Sequence, residues 1–279
     1  MISISNLTKV YSKNKIALNI ENQDIDNGIV SIIGQNGAGK TTLLRILSTQ
    51  LKATSGDAFI DNISVMKEYN KIRKKTVSIP QEAAPIGILT SYEQVYMYLT
   101  ARGFSFHSAR EEANRALKEV GLYNVRNRPT DELSGGMKRK MFVAMALASN
   151  ADTIFLDEPT TGLDPLSRME VWSAIKELTG NTILTTHYME EAEELSKKIY
   201  MMDSGNFIGS GTIDELLLPL KGRIRIESRE KLDNSYHIGT LYIKYVDSKD
   251  LPDYENKYYS IKKITIEDLF IIRGVNLES

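Results

Sequence analysis

An α/β fold with a parallel central sheet is predicted from three features of the chain. Ile29-Val30-Ser31-Ile32-Ile33 is a compact apolar run of strand length, and Leu43, Leu44, Ile46 and Leu47 behind it have helical spacing. Thr153–Leu156 and Asn181–Thr186 are further strand-like runs, set apart by helix-length segments. Each run ends on residues suited to chemistry: a glycine-rich loop, then Asp157-Glu158, then His187. In open α/β sheets ligands gather at the carboxyl ends of strands.

The glycine-rich loop, Gly34-Gln35-Asn36-Gly37-Ala38-Gly39-Lys40-Thr41, reads G-x-x-x-x-G-K-T between a strand and a helix. That is the setting a phosphate-binding loop requires. Glycines let the backbone curl so that several N–H groups face one anion, and the helix N-terminus adds unpaired N–H groups and its positive dipole end. Lys40 would place an ammonium on the β- and γ-phosphates, and the Thr41 hydroxyl would ligate Mg²⁺. Ordinary residue usage would produce the pattern in roughly one chain in a hundred of this size. The expected core is therefore a phosphate-loop NTPase, and the expected ligand a nucleoside triphosphate.

Composition excludes several other functions. Hydrophobic content of 42%, charged content of 25% and a net charge of -1 give no global electrostatic reason to expect nucleic acid or anionic lipid. The absence of cysteine excludes disulfides, thiolate chemistry and cysteine-ligated zinc. Met1–Ser5 has neither a basic flank nor a long apolar stretch, so no signal peptide is expected. Nowhere do about 18 apolar residues run together, and a soluble chain is expected.

In order along the chain, Ile2, Ile4, Ile16, Leu18 and Ile20 alternate as strands of an antiparallel β subdomain, with Asn27-Gly28 as a turn. Tyr11, between the runs, reads in isolation as a half-buried strand aromatic. Thr54-Ser55-Gly56-Asp57 is turn-like and Ala58–Ile60 begins a strand. Thr76–Ile79 is a strand stopped by Pro80, after which Gln81 opens a loop reaching Gly87. Residues of about 88–150 have helical texture, broken at Gly103 and Ser105 and ended at Gly121, and read as an inserted helical subdomain.

Leu133-Ser134-Gly135-Gly136 then leads into a helix, with Ser134 as N-cap and the glycines allowing close backbone approach. Asp157, last on its strand, can hold Mg²⁺ through water, and Glu158 can face elsewhere and take a proton from water. Thr161-Gly162-Leu163-Asp164-Pro165 is a turn into a helix reaching Leu178. Glu190, Glu191, Glu193 and Glu194 read as a solvated helix face, and Asp203–Asn206 as a hairpin turn. Residues 221–279 are tyrosine-rich and strand-like, closing with a Thr265…Asp268 capping signal. They form a small α+β accessory region after a main domain of residues 1–220. The tyrosines suit packing better than base stacking, because no basic surplus accompanies them.

Taken together, the motifs resemble the nucleotide-binding subunit of an ATP-binding cassette (ABC) transporter over residues 1 to about 215. Gly34–Thr41 matches Walker A, Thr153–Glu158 Walker B, and Leu133–Gly136 the ABC signature. Gln81 falls at the Q-loop, Thr161–Asp164 at the D-loop, His187 at the switch histidine and Tyr11 at the A-loop aromatic. The resemblance implies two such subunits closing head-to-tail on ATP, as a homodimer or with a paired ATPase subunit. Tyr11 would stack on adenine, while Gly34, Asn36, Gly37, Ala38, Gly39, Lys40, Thr41 and Thr42 would surround the phosphates. Thr41, Gln81 and, through water, Asp157 would hold Mg²⁺. Glu158 would be the general base, assisted by His187 and Gln81. Ser134, Gly135 and Gly136 of the opposite subunit would reach the γ-phosphate, and Asp164 would link the two sites.

Met137-Lys138-Arg139-Lys140 departs from the common signature continuation and, with Thr185–Glu193 and Ile266–Phe270, looks like the drug, lipid and polysaccharide exporter branch. That branch implies an integral membrane permease partner and a place at the inner face of the cell membrane, with no nucleic acid expected. Lys140 keeps a charge but not the planar fork of the arginine often found there. A soluble ABC regulator of ribosomes or nucleic acid is the alternative, although such chains usually carry paired cassettes or long coiled coils.

Overall fold

The computed structural model describes residues 1–12, 15–254 and 259–273. Two compact units divide the chain, residues 1–207 and 208–279. The 220/221 boundary expected from composition lies inside the second unit, and residues 255–258 and 274–279 of the accessory region lie outside the described residues.

The first unit opens with β1 (Ile2–Val10), β2 (Ile16–Ile25), β3 (Ile29–Ile33) and α1 (Lys40–Leu47). There follow β4 (Ser55–Ile60), β5 (Ile63–Ser64), α2 (Tyr69–Lys75) and β6 (Thr76–Ile79). Three helices come next, α3 (Ser91–Ala101), α4 (Phe106–Glu119) and α5 (Gly135–Ala148). The chain then alternates β7 (Thr153–Asp157), α6 (Pro165–Lys176), β8 (Asn181–Thr186), α7 (Met189–Leu195) and β9 (Lys198–Asp203). In β10 (Asn206–Gly211) the first unit gives way to the second.

Alternating apolar residues bury one face of the antiparallel sheet, whose order is β2-β1-β4-β5. Five neighbouring strands of the central sheet, in the order β9-β3-β8-β7-β6, are all parallel, so each of these delivers its carboxyl end to the same edge. β8 lies between β3 and β7. β7 is buried on both faces, as a sheet covered on both sides demands. Ile154 and Leu156 join the core shared with α3, α4 and α5, while Phe155 joins the one beneath α1 and the antiparallel sheet.

The helical insertion starts on a capping box, with Thr90 accepting from the Glu93 N–H at 3.1 Å and Glu93 accepting from the Thr90 N–H at 2.8 Å. Buried Gln94 fixes the loop before it, accepting from the Ile86 N–H at 2.9 Å and donating to Thr130 Oγ1 at 3.0 Å.

The second unit contains α8 (Ile213–Leu217), β11 (Arg223–Ser228), β12 (Tyr236–Ile238), β13 (Leu241–Asp247), β14 (Ser260–Lys262) and α9 (Glu267–Ile272), with sheet order β12-β13-β11-β14. Its buried polar centre is Asp268, which accepts from Tyr245 Oη at 2.8 Å and Arg225 Nη1 at 3.1 Å. Burial and the Asp268 carboxylate push the Tyr245 phenol well above its ordinary value.

Three expectations need correction. Ser55–Asp57 belong to β4 rather than to a turn: Gly56 takes a φ of 76° where β1 shifts register, and a Cβ there would lie 1.9 Å from the Asn6 carbonyl oxygen. A glycine that reads as a turn is thus a close approach between strands. Thr265 does not cap α9 with its hydroxyl; its N–H donates to Asp268 Oδ2 at 2.7 Å. Glu190, Glu193 and Glu194 are exposed, but Glu191 is fully buried, because the first turn of α7 packs against α6 and the loop after β7.

Candidate functional site

At the carboxyl edge of the central sheet lies a cleft of about 530 Å³ lined by Tyr11, Asn36, Gly37, Gly39, Lys40, Thr41, Thr42, Gln81 and Glu158, among others. The loop between β3 and α1 shapes its floor. Gly37 and Gly39 have φ of 85° and 102°, a region L side chains rarely adopt. Gly34 passes so close to β9 that a Cβ would lie 2.2 Å from the Met202 carbonyl oxygen. Gly39 caps α1 without a side chain, which leaves the first-turn N–H groups to an outside acceptor. Ala38 is turned inward, its N–H donating to the Gln35 carbonyl at 3.1 Å and its carbonyl accepting from Gly205 at 2.9 Å.

Lys40 is 4% exposed and gives its ammonium to the carbonyls of Gly34 at 2.7 Å and Gln35 at 3.1 Å. Glu158 Oε1 lies 3.7 Å away. Burial pulls the lysine below its ordinary pKa, against the opposing pull of Glu158 and Asp157. An ammonium held by carbonyls at the mouth of a glycine-rich loop is one that an anion can recruit.

The two carboxylates at the end of β7 have separate surroundings. Asp157 Oδ1 accepts from Thr41 Oγ1 at 3.0 Å and Thr185 Oγ1 at 2.6 Å. Burial raises its pKa, while these hydroxyls pull it down. Glu158 leaves the strand at a φ of 47°, a conformation costing on the order of 1–3 kcal/mol for a non-glycine residue. Its N–H is held by the Thr185 carbonyl and Oγ1, both at 3.1 Å. That turn separates the carboxylates: Glu158 Oε2 meets His187 Nδ1 at 2.9 Å, Thr161 Oγ1 at 2.8 Å and Gln81 Nε2 at 3.5 Å.

Tyr11 stands at the rim, 41% exposed, with its hydroxyl 3.4 Å from Thr42 Oγ1 and Lys9 Nζ 5.3 Å from its ring centre. An open aromatic face beside a phosphate loop suits stacking on a planar base.

Ser134, Gly135, Gly136 and Asp164 do not line this cleft. They form a second group, in which Ser134 caps α5 through the Met137 N–H at 3.2 Å and Asp164 caps α6 through the Ser167 N–H at 3.1 Å. Those contacts from Ser167 hold the Asp164 carboxyl below its usual range. A Cβ on Gly136 would lie 2.8 Å from Ser167 Cβ, so the glycine lets α5 and α6 converge at their N-termini. Lys140 is buried and paired with Glu170 Oε2 at 2.8 Å.

Sequence reasoning passed over three residues that build this geometry. Thr185 holds both Asp157 and the Glu158 backbone, and Thr161 holds the Glu158 side chain. Arg139 of α5 donates to the Gln81 carbonyl at 2.6 Å, tying the two loops. The threonines at the end of β8 were a visible signal, since hydroxyls facing a neighbouring strand's carboxylate satisfy it. Arg139 left none.

Comparison with known proteins points the same way. A family model described as ABC transporter matches residues 18–161. The daunorubicin/doxorubicin resistance ATP-binding protein DrrA of Streptomyces peucetius is 37% identical over 77% of this chain, a match spanning 66% of that relative, slightly under two thirds. The daunorubicin resistance ATP-binding protein DrrA3 of Streptomyces coeruleorubidus is 33% identical over 82% of this chain and 74% of its own length. A solved dimeric ATP-binding cassette in a post-hydrolysis state, bound to ADP and phosphate, superposes with a TM-score of 0.67 at 31% identity, over 76% of this chain and 98% of that one. With the glycine loop, the paired carboxylates and the separate signature group in these positions, the chain belongs to the ABC transporter family as an ATP-binding cassette.

Proposed function

We propose that this chain is the ATP-hydrolysing subunit of an exporter, powering a separate integral membrane permease by ATP-driven closure of two cassettes. The observation that carries this reading is the meeting of Lys40, Gln81 and Glu158 in one cleft, with His187 held on Glu158, while the Ser134–Gly136 group lies outside that cleft. The Ser134–Gly136 donors lie outside the cleft that holds Lys40 and Glu158, so a complete site on this reading needs a second cassette. The drug-resistance relatives support export as the direction.

In this mechanism Tyr11 stacks on adenine, and Lys40 exchanges the Gly34 and Gln35 carbonyls for phosphate oxygens. The N–H groups of the Gly34–Thr42 loop hold the remaining charge. Thr41 Oγ1, Gln81 and, through water, Asp157 would hold Mg²⁺, a hard cation suited by this oxygen donor set, which neutralises phosphate charge when bound. His187 orients the attacking water and Glu158 takes its proton. The water oxygen bonds to the γ-phosphorus as the bond from that phosphorus to the bridging oxygen of ADP breaks, and ADP and inorganic phosphate leave, with the proton returned from Glu158. Ser134, Gly135 and Gly136 of the second cassette contact the γ-phosphate, and Asp164 joins the sites. Hydrolysis then removes the group that both halves share.

Among the described residues, no helix is long and apolar enough to cross a membrane. Ile86 and Ile88 are exposed in the loop after Gln81, Ile88 at 82%, on a segment pinned by Gln94, and Met97 is exposed on α3. Their exposed side chains offer apolar contacts suited to a permease's inner-face helices, at the inner surface of the membrane. Tagged protein isolated in mild detergent is expected to bring down an integral membrane chain, and Ile88→Asp to lose it; consistent recovery of ribosomes instead would overturn the exporter reading.

Gly136→Ala is expected to slow ATP turnover by about tenfold or more, because a displaced α5 N-terminus misplaces the signature donors. Nucleotide affinity of the single cassette should be unchanged. Turnover and nucleotide titration on the same preparation check both halves of that expectation.

A further inference from the structure

Glu191 has no place in the mechanism above, yet its side chain is fully buried. A buried carboxylate is costly unless it is well satisfied, and its partners indicate what it holds together. Its Oε1 accepts from Thr160 Oγ1 at 2.7 Å and from Trp172 Nε1 at 3.0 Å. Thr160 is also fully buried and lies in the loop that leaves Glu158; its neighbour Thr161 holds Glu158 Oε2 at 2.8 Å. Trp172 lies on α6, and Glu191 lies on the first turn of α7, one turn after His187.

A second line of contacts runs beside the first. Arg168, one turn before Trp172 on α6, stacks over the Tyr188 ring at 4.0 Å, and that ring lies 4.1 Å from the His187 ring. Glu158 and His187 come from different strands, and their 2.9 Å contact needs the loop after β7 and the start of α7 to keep one register. We propose that Glu191 is a positioning residue for hydrolysis: a buried brace that fixes the Thr160 loop and the His187 turn onto α6, so that Glu158 and His187 face the same water. The inference rests on the ATPase reading above. Burial pushes the Glu191 carboxyl above its usual range, against the Thr186 and Thr160 hydroxyls, the Trp172 indole and the Arg168 charge, which stabilise its ionised form. A neutral amide is therefore a fair replacement for it, whereas a methyl group is not.

Trp172 is the only tryptophan of the chain, so its emission reports this brace directly. Glu191→Ala is expected to lower kcat by about 10- to 100-fold, the scale seen when an outer-shell partner is lost. Its affinity for ATP should stay within about twofold of wild type, because the phosphate loop is built elsewhere. Glu191→Gln should recover kcat to within about threefold of wild type. Thr160→Val should lose kcat as Glu191→Ala does, and the double variant should lose little more. If Glu191→Ala fails to fold, Glu191→Gln and Thr160→Val decide the matter.

An unchanged kcat in Thr160→Val, an equal loss of ATP affinity and kcat, or a glutamine variant as slow as the alanine one would overturn the brace. Wild-type protein that binds ATP without turning it over would instead sink the ATPase reading. The brace would then be judged on Trp172 emission: a shift on adding ATP in wild type that vanishes in Glu191→Ala supports it, and equal shifts overturn it.

Discussion

Glu158→Gln is expected to lower ATP turnover by about 10²- to 10⁴-fold, the range spanned by a positioned general base. The amide oxygen can still accept from Thr161, so the turn at a φ of 47° and the position of the side chain should persist. What is lost is the ability to take a proton from water. ATP binding should be preserved or improved, since a buried negative charge 3.7 Å from Lys40 disappears. The expected species is a long-lived dimer with ATP held between two cassettes. Size exclusion with and without ATP, beside single-turnover phosphate release, checks it. A variant running at the wild-type rate would remove Glu158 from the base role.

Lys40→Ala is expected to weaken nucleotide binding by roughly 10- to 100-fold, the equivalent of one charge-assisted contact of about 1.5–3 kcal/mol. Two effects add. The phosphates lose their cation, and the buried Glu158 loses the ammonium that now offsets it. A carboxylate left buried beside an incoming triphosphate repels it. Lys40→Ala/Glu158→Gln should therefore recover part of the lost affinity, which a titration of the double variant would detect. Unchanged binding in the single variant would discredit the phosphate loop as the nucleotide site.

The parts of this site that could be read from the chain are those written in contiguous residues. Gly34–Thr41, Leu133–Gly136 and Asp157-Glu158 carry their chemistry within a few positions, because a backbone cradle, a helix cap and a strand end are local objects. The parallel sheet was legible for the same reason, from strands alternating with helical spacing. Glu191 was not, since α7 is short and acidic and the burial of its first turn is decided by Trp172 and Thr160, from other elements. Gly56 misled because a positive φ is shared by turns and by strands that approach closely. Arg139 reaches the Gln81 carbonyl across 58 positions, a pairing that only the packed helical layer establishes.

The sheet order also governs when, during synthesis, the protein can first hold its nucleotide. Val30 of β3 pairs with Ile183 of β8 and Lys198 of β9, so the strand beneath the glycine loop emerges early yet finds its neighbours only near the end of the first unit. Until then the loop has no rigid floor, and Gly34 lacks the Met202 carbonyl it packs against. Such long-range pairing slows folding. Nascent chains stalled before residue 200 should therefore leave ATP unbound, and the apolar strand Ile29–Ile33 stays open to a chaperone until its neighbours emerge.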